Sequence, residues 1–181
     1  MSFSARRIRV WDLVVRLFHW GLVLSFAVAW LSANSWEDLH VWAGYAAGGL
    51  IVIRFAWGWV GTPYAKFSQF VRPPKTTLRY LRAILKGSEA RYLGHNPAGG
   101  AMVVALMITV SATAFTGWLL TTDVLWGVSW AQHLHSGIAD FLLALVGLHL
   151  AGVALASFRH KENLVAAMLT GTKRSPEPGD I

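Results

Sequence analysis

Four long apolar stretches, Leu17–Ala33, Val41–Gly61, Ala98–Thr122 and Ile138–Phe158, constrain this chain more than any other feature of its sequence. Each is close to the ~20 residues that carry an α-helix across the ~30 Å hydrocarbon layer of a membrane. The third holds no Asp, Glu, Lys, Arg or His; the first holds only His19, the second only Arg54, and the fourth Asp140 and His149. The expected fold is therefore all-α, an integral membrane four-helix bundle with spans at about 13–33, 39–61, 98–122 and 135–158. A connection over 62–97 would join the second span to the third, and a tail over 161–181 would follow the fourth. The basic stretch Ala5–Arg9 ahead of the first run also fits a secretory signal peptide ending at Leu31-Ser32-Ala33, but the histidine and the length of the run favour a retained span.

Composition agrees with a membrane protein. Only 14% of residues are charged, against about 25% in an average soluble domain. Cysteine is absent, so thiolate zinc sites, iron–sulfur clusters and covalent CxxCH haem are excluded, and histidine is left as the strong nitrogen ligand. The net charge of +7 invites a nucleic-acid reading until its placement is examined. Arg6, Arg7, Arg9 and Arg16 precede or open the first span, and Arg54 lies late in the second. Lys66, Arg72, Lys75, Arg79, Arg82, Lys86 and Arg91 fill the long connection, and Arg159, Lys161, Lys173 and Arg174 follow the fourth span. The alternate loops, around 32–39 and 123–134, contain no Lys or Arg but hold Glu37, Asp38 and Asp123. By the positive-inside rule both termini are expected in the cytoplasm. The basic residues then face anionic lipid, and no nucleic-acid partner is expected.

Within the connection, Leu78, Leu81, Ile84 and Leu85 recur at helical spacing among Arg79, Arg82 and Lys86. This pattern predicts a short interfacial helix entered at Pro73-Pro74 and stopped near Gly87. Asn96-Pro97 supplies a cap residue and a first-turn proline for the third span. Lys173–Ile181, rich in proline and charge, is expected to be disordered.

Ionisable side chains inside spans are costly and mark functional positions. His135 and His149 are separated by about 1,400° of helical rotation, roughly 40° short of whole turns, and by about 21 Å along the axis, so they share a helix face. His133 falls on the opposite side. The order of the spans places His19 and His149 in the cytoplasmic half and His40 and His135 in the outer half. Each level thus holds two histidines from different helices, the arrangement that supplies both axial positions of a haem iron inside a bundle. Gly44 and Gly48, at i+4 and i+8 from His40, thin that helix face where a flat ring would lie. Interhelical hydrogen bonding is the plain alternative for any one of these histidines. A metal or proton transporter is the rival function, although Asp140 is the only carboxylate within the runs. Asp12 is expected at the interface, and the Trp57/Trp59 and Trp126/Trp130 pairs in interfacial belts.

Val10-Trp11-Asp12 through Arg16-Leu17-Phe18-His19-Trp20, the start Gly94-His95-Asn96-Pro97, and the spaced His135 and His149 resemble the bacterial diheme cytochrome b family. That family includes prokaryotic cytochrome b561 and the b-type membrane subunit of nickel–iron hydrogenases. The resemblance runs over residues ~10–160 and implies two noncovalent haem b groups with His19, His40, His135 and His149 as axial ligands. It implies electron transfer between the quinone pool and a periplasmic cytochrome c or hydrogenase-like redox subunit, in an electron-transfer protein or subunit that could act as a quinone oxidoreductase; a homodimer is a candidate assembly. A non-redox membrane anchor for a periplasmic enzyme is the remaining alternative. The 62–97 connection is longer than in some members, so analogy does not locate the quinone site. His160 lies about 1,100° beyond His149, only about 20° off the same face. His95 and His160 are candidate propionate or quinone contacts, with solvated surface positions the expected alternative. Arg16 and Arg54 are candidate propionate partners because a guanidinium fork matches a carboxylate, with headgroup snorkelling the alternative.

Overall fold

A computed structural model describes residues 7–181; Arg6, counted above among the basic residues, lies outside the described residues. The chain is all-α apart from one small two-stranded sheet. Four helices are long and apolar enough to cross a membrane: α1 (Leu13–Ser32), α2 (Glu37–Val60), α5 (Pro97–Leu120) and α6 (Ser129–Arg159). Between α2 and α5 come a 3-10 turn (Pro63–Ala65), α3 (Phe67–Phe70) and α4 (Pro74–Lys86); α7 (Leu164–Thr170) follows α6. Strands β1 (Arg7–Arg9) and β2 (Thr172–Arg174) pair antiparallel, with Ile8 opposite Lys173.

The span boundaries follow the apolar runs closely except in α6, which starts at Ser129, well before the expected 135, so that His133 and His135 both lie on regular helix. Helix α4 forms where the leucine spacing predicts it, with Gly87 at φ 68° closing its C-terminus. Asn96 caps α5 by accepting from Gly99 N at 2.7 Å. Large apolar side chains such as Leu24, Val52, Ile108 and Phe141 are exposed on the spans, as expected of helices solvated by lipid rather than water.

The chain divides into two compact units. One comprises 17–56 and 105–147, the greater part of the four spans. Small residues set its helix contacts. A Cβ at Gly21 would lie 3.2 Å from Leu50 Cδ1, one at Gly48 would lie 3.5 Å from Ala114, and one at Gly117 would lie 3.0 Å from His135 Cε1. Such close approach through small residues is how helices associate where lipid removes the hydrophobic drive.

The other unit comprises residues 7–16, 57–104 and 148–181. Its core gathers Val10, Trp11, Val15 and Ala65, with Ile8, Trp57, Tyr64 and Met168 packed around them. Gly171 sits at the C-terminus of α7 with φ 81°, and a Cβ there would come within 2.6 Å of Trp11 O. Its own carbonyl accepts from Val10 N and Trp11 N at 2.9 and 3.1 Å. Only glycine meets both requirements, the left-handed backbone and the contact.

The expected disorder of Lys173–Ile181 is overturned. Residues 172–174 form β2, Leu93 N donates to Ile181 O at 2.9 Å, and Ile181 N donates to Arg91 O at 2.8 Å. The buried Arg91 guanidinium donates to Glu162 Oε1 at 2.8 Å, to the Arg174 carbonyl at 2.9 Å, and to Asp180. Composition treats such charges as solvated; here they are consumed by partners far away in sequence.

Candidate cofactor site

Helix α1 ends at Ser32, so Ala29 lies in its last turn, where carbonyls retain acceptor capacity. The His40 ring uses it: Nδ1 lies 2.8 Å from Ala29 O. A carbonyl can only accept, so Nδ1 carries a proton, and in the tautomer this bond selects for the neutral ring the lone pair lies on Nε2. Opposite, in α6, His135 Nδ1 lies 3.1 Å from Thr116 Oγ1. That hydroxyl directs its single proton to its own helix, toward Ala112 O at 2.8 Å or Thr113 O at 3.1 Å. Its oxygen therefore accepts from His135, which takes the same tautomer with Nε2 available.

The two rings meet edge to face, with centroids 6.1 Å apart and planes at 88°. The donor set therefore fits a bis-histidine haem, with the Nδ1–H groups held by the outer hydrogen bonds that orient metal-ligating histidines. Among the described residues no group of three or more His, Asp or Glu is placed to hold a metal ion. A Cβ at Gly44, one turn on from His40, would meet nothing within 4 Å, and Gly117 lets the His135 ring approach the α5 backbone.

The other predicted residues are placed as follows. His19 is half-buried in α1, with its ring edge-on to Trp20 at 5.0 Å. His149 is half-buried in α6. His133 is exposed where His135 is not, as the helical phase requires. Arg54 is buried at 3% exposure in the later part of α2. Arg16 donates to the Leu169 carbonyl at the end of α7, while its buried Nε has no hydrogen-bond partner among the described residues. His160 is half-buried beyond the end of α6.

The surface alternative for His95 does not hold: its ring lies between Trp11, at 4.7 Å, and Phe70, at 4.8 Å. These two aromatic contacts leave His95 half-buried, displacing part of the water that the bare sequence would assign to it. Trp57 donates Nε1 to Asp12 Oδ2 at 3.1 Å, whereas Trp59, Trp126 and Trp130 are exposed. Asp12 accepts further from Val15 N at 2.9 Å and Thr62 Oγ1 at 2.5 Å, capping α1 and tying it to the chain beyond α2. Burial would raise its carboxyl, but these hydrogen bonds hold it below the usual value. Glu162 follows the same logic: burial would raise it, but Arg91, the Arg174 backbone and Lys173 hold it low.

Thr116 and the Ala29 carbonyl were missed by sequence reasoning. The only available signal was weak: Thr116 is one of several hydroxyl residues in an apolar span, and Thr109, Ser111 and Thr113 likewise bond back to their own helix. A backbone carbonyl has no residue code at all.

The model of the family described as prokaryotic cytochrome b561 matches residues 10–171. No curated protein and no solved structure matches the chain.

Proposed function

The chain belongs to the prokaryotic cytochrome b561 family, and from that premise we propose that it carries two haem b groups and passes electrons between the quinone pool and a periplasmic redox partner. Membership makes it a haem-binding membrane electron carrier. The observation that supports the finer reading is the His40–His135 pair, two imidazoles with centroids 6.1 Å apart and both Nδ1 positions already engaged. Each haem, when bound, supplies a one-electron redox couple whose potential responds to ligands, hydrogen bonds and burial.

The work of the protein is positional. Ala29 and Thr116 hold the protons on Nδ1 of His40 and His135, so both Nε2 atoms stay available as ligands across a change of redox state. The apolar helices exclude water, which keeps the site in a low-dielectric surrounding. The same ligand role is assigned to His19 and His149 from their depth in the spans and from the family. Arg16, whose buried Nε has no hydrogen-bond partner among the described residues, is a donor suited to a propionate, as is the buried Arg54. His95 and His160 remain the candidates for a quinone contact. Glu37, Asp38 and Asp123, all exposed, would steer a partner that presents a basic patch. Both termini then lie in the cytoplasm of the inner membrane. Asp140 is exposed, and no acidic relay accompanies it within the spans, so the transporter reading gains no support.

Stopped-flow mixing of the reconstituted protein with a quinol analogue tests the function. Reduction of both haems within the turnover time of a respiratory chain is expected, and neutralising Glu37, Asp38 and Asp123 should flatten the salt dependence of the reaction with a cytochrome c. Failure of quinol to reduce either haem would remove the quinone role. An unaltered salt dependence would remove the docking role of the acidic loops.

A further inference from the structure

Helices α2 and α5 are successive spans, so the chain between them, including α4, lies at one face of the membrane. The side of α4 turned to the protein is Tyr80, buried, whose hydroxyl donates to Ala90 O at 3.1 Å. The opposite side is uncovered: Leu78, Leu81 and Leu85 are 49%, 43% and 86% exposed. At about 100° per residue these leucines fall within a wedge of about 60°, and Lys75, Arg79, Arg82 and Lys86 occupy the adjoining 60°. All four cations are exposed, and residues 62–88 contain no Asp or Glu. Among the described residues, Arg72, Lys75, Arg79, Arg82 and Lys86 form no salt bridge; the bridges involve Arg91, Arg159, Lys173 and Arg174 instead.

Beside the leucine ridge a groove of about 360 Å³ opens between α4 and the first turns of α5. Leu78, Leu81, Ala101, Val104 and Val71 make its apolar lining, and Arg72 joins them. A row of unpaired cations alongside an apolar ridge and groove, at a membrane face, matches the two halves of one molecule. We propose that α4 and the α4–α5 groove form a seat for an anionic phospholipid, its phosphate among Arg72, Arg79 and Arg82 and an acyl chain in the groove. The charge is complementary, and each cation near an anionic surface strengthens the attraction in a salt-dependent way. An acidic protein would satisfy the cations but leave the groove empty.

The test uses the full-length protein purified in a neutral detergent, with lipid binding followed by native mass spectrometry and by thermal stability. Phosphatidylglycerol is expected to bind at least tenfold more tightly than phosphatidylcholine at low salt, with the gap narrowing at high salt. Replacing Arg72→Gln, Arg79→Gln and Arg82→Gln together should weaken phosphatidylglycerol on the order of 10- to 100-fold, with haem content and helicity unchanged. Ala101→Trp, which fills the groove, should weaken the lipid while leaving glycerol phosphate unaffected. Equal affinity for the two lipids in the unsubstituted protein would overturn the proposal, as would full retention of phosphatidylglycerol by the triple variant. Glycerol phosphate binding as tightly as the lipid would mark a bare phosphate site. Poly-glutamate binding as tightly would mark a protein-docking face. Either result would overturn the lipid assignment.

Discussion

The His40–His135 pair and the Arg91 cluster each hold distant parts of the chain together with polar groups, but by different chemistry. The histidines are tied by neutral donors and acceptors, a backbone carbonyl on one side and a threonine hydroxyl on the other. Arg91 is tied by charge: Glu162 and Asp180 take its guanidinium, and Lys173 approaches Glu162 at 3.8 Å. The first lies in the spans and the second in segments that flank them. In lipid an unpaired charge is costly, so orientation there comes from groups that stay neutral. Beside water, a charged cluster with every member paired is tolerable, and it fastens a tail that composition alone would release.

The largest separation between the regions should come from His135→Ala. One haem of two should be lost, and the midpoint of thermal unfolding for the segments around Arg91 should hardly move. Loss of both haems from this one change would show that the two levels are not independent. Arg91→Ala should do the opposite. Removing one member of a buried ion cluster leaves the others uncompensated and costs about 3 kcal/mol, read as a lower unfolding temperature and early proteolysis after residue 171, with the outer haem spectrum retained. A tail that stays protease-resistant would show that the backbone pairing of Ile181 with Arg91 and Leu93 is sufficient without the charges.

Thr116→Val sharpens the neutral side. It removes the acceptor for His135 Nδ1–H while preserving shape, so the outer haem should be held about 10-fold less tightly. Its potential should rise as the imidazole becomes a weaker donor to the oxidised iron. Thr116→Ser should restore both; a potential unmoved by Thr116→Val would remove Thr116 from the positioning of His135.

Acid tests the charged side. Glu162 and Asp180 are both held below their ordinary values, burial opposing and Arg91 prevailing. A carboxyl with a depressed pKa binds fewer protons folded than unfolded, so its stabilisation is full above the ordinary carboxylate range and is lost as pH falls below it. Protection of the tail against hydrogen exchange should therefore fall below about pH 4, and should be insensitive to pH between 6 and 8. The smallest effect belongs to Asp12→Ala, which removes the cap of α1 and the acceptor for Trp57 and Thr62 at about 1 kcal/mol, measurable as a modest fall in unfolding temperature.

The same contrast explains what was legible in the sequence. Spans, the α4 helix and the cap at Asn96 follow from periodicity and local residue chemistry, which act over a few residues. The distinction between His133 and His135 follows from helical phase, and the pairing of His40 with His135 from phase and depth together. What escaped depends on contacts across the chain. Arg91 meets Glu162 across 71 residues and Asp180 across 89, and nothing local separates Lys173, buried at 6% exposure, from a solvated tail lysine. His95 looked like a surface residue because its covers, Trp11 and Phe70, come from elsewhere in the chain. The partners of Asp12, Trp57 and Thr62, likewise lie 45 and 50 residues away.

The central claim is that two pairs of histidines hold two haems. A pyridine haemochrome assay on the purified chain, normalised to protein by amino-acid analysis, tests it most directly. The account predicts two noncovalent b haems per chain and a reduced low-spin spectrum. One haem per chain would contradict the inner or the outer pair, and a colourless preparation that binds zinc instead would contradict the account as a whole.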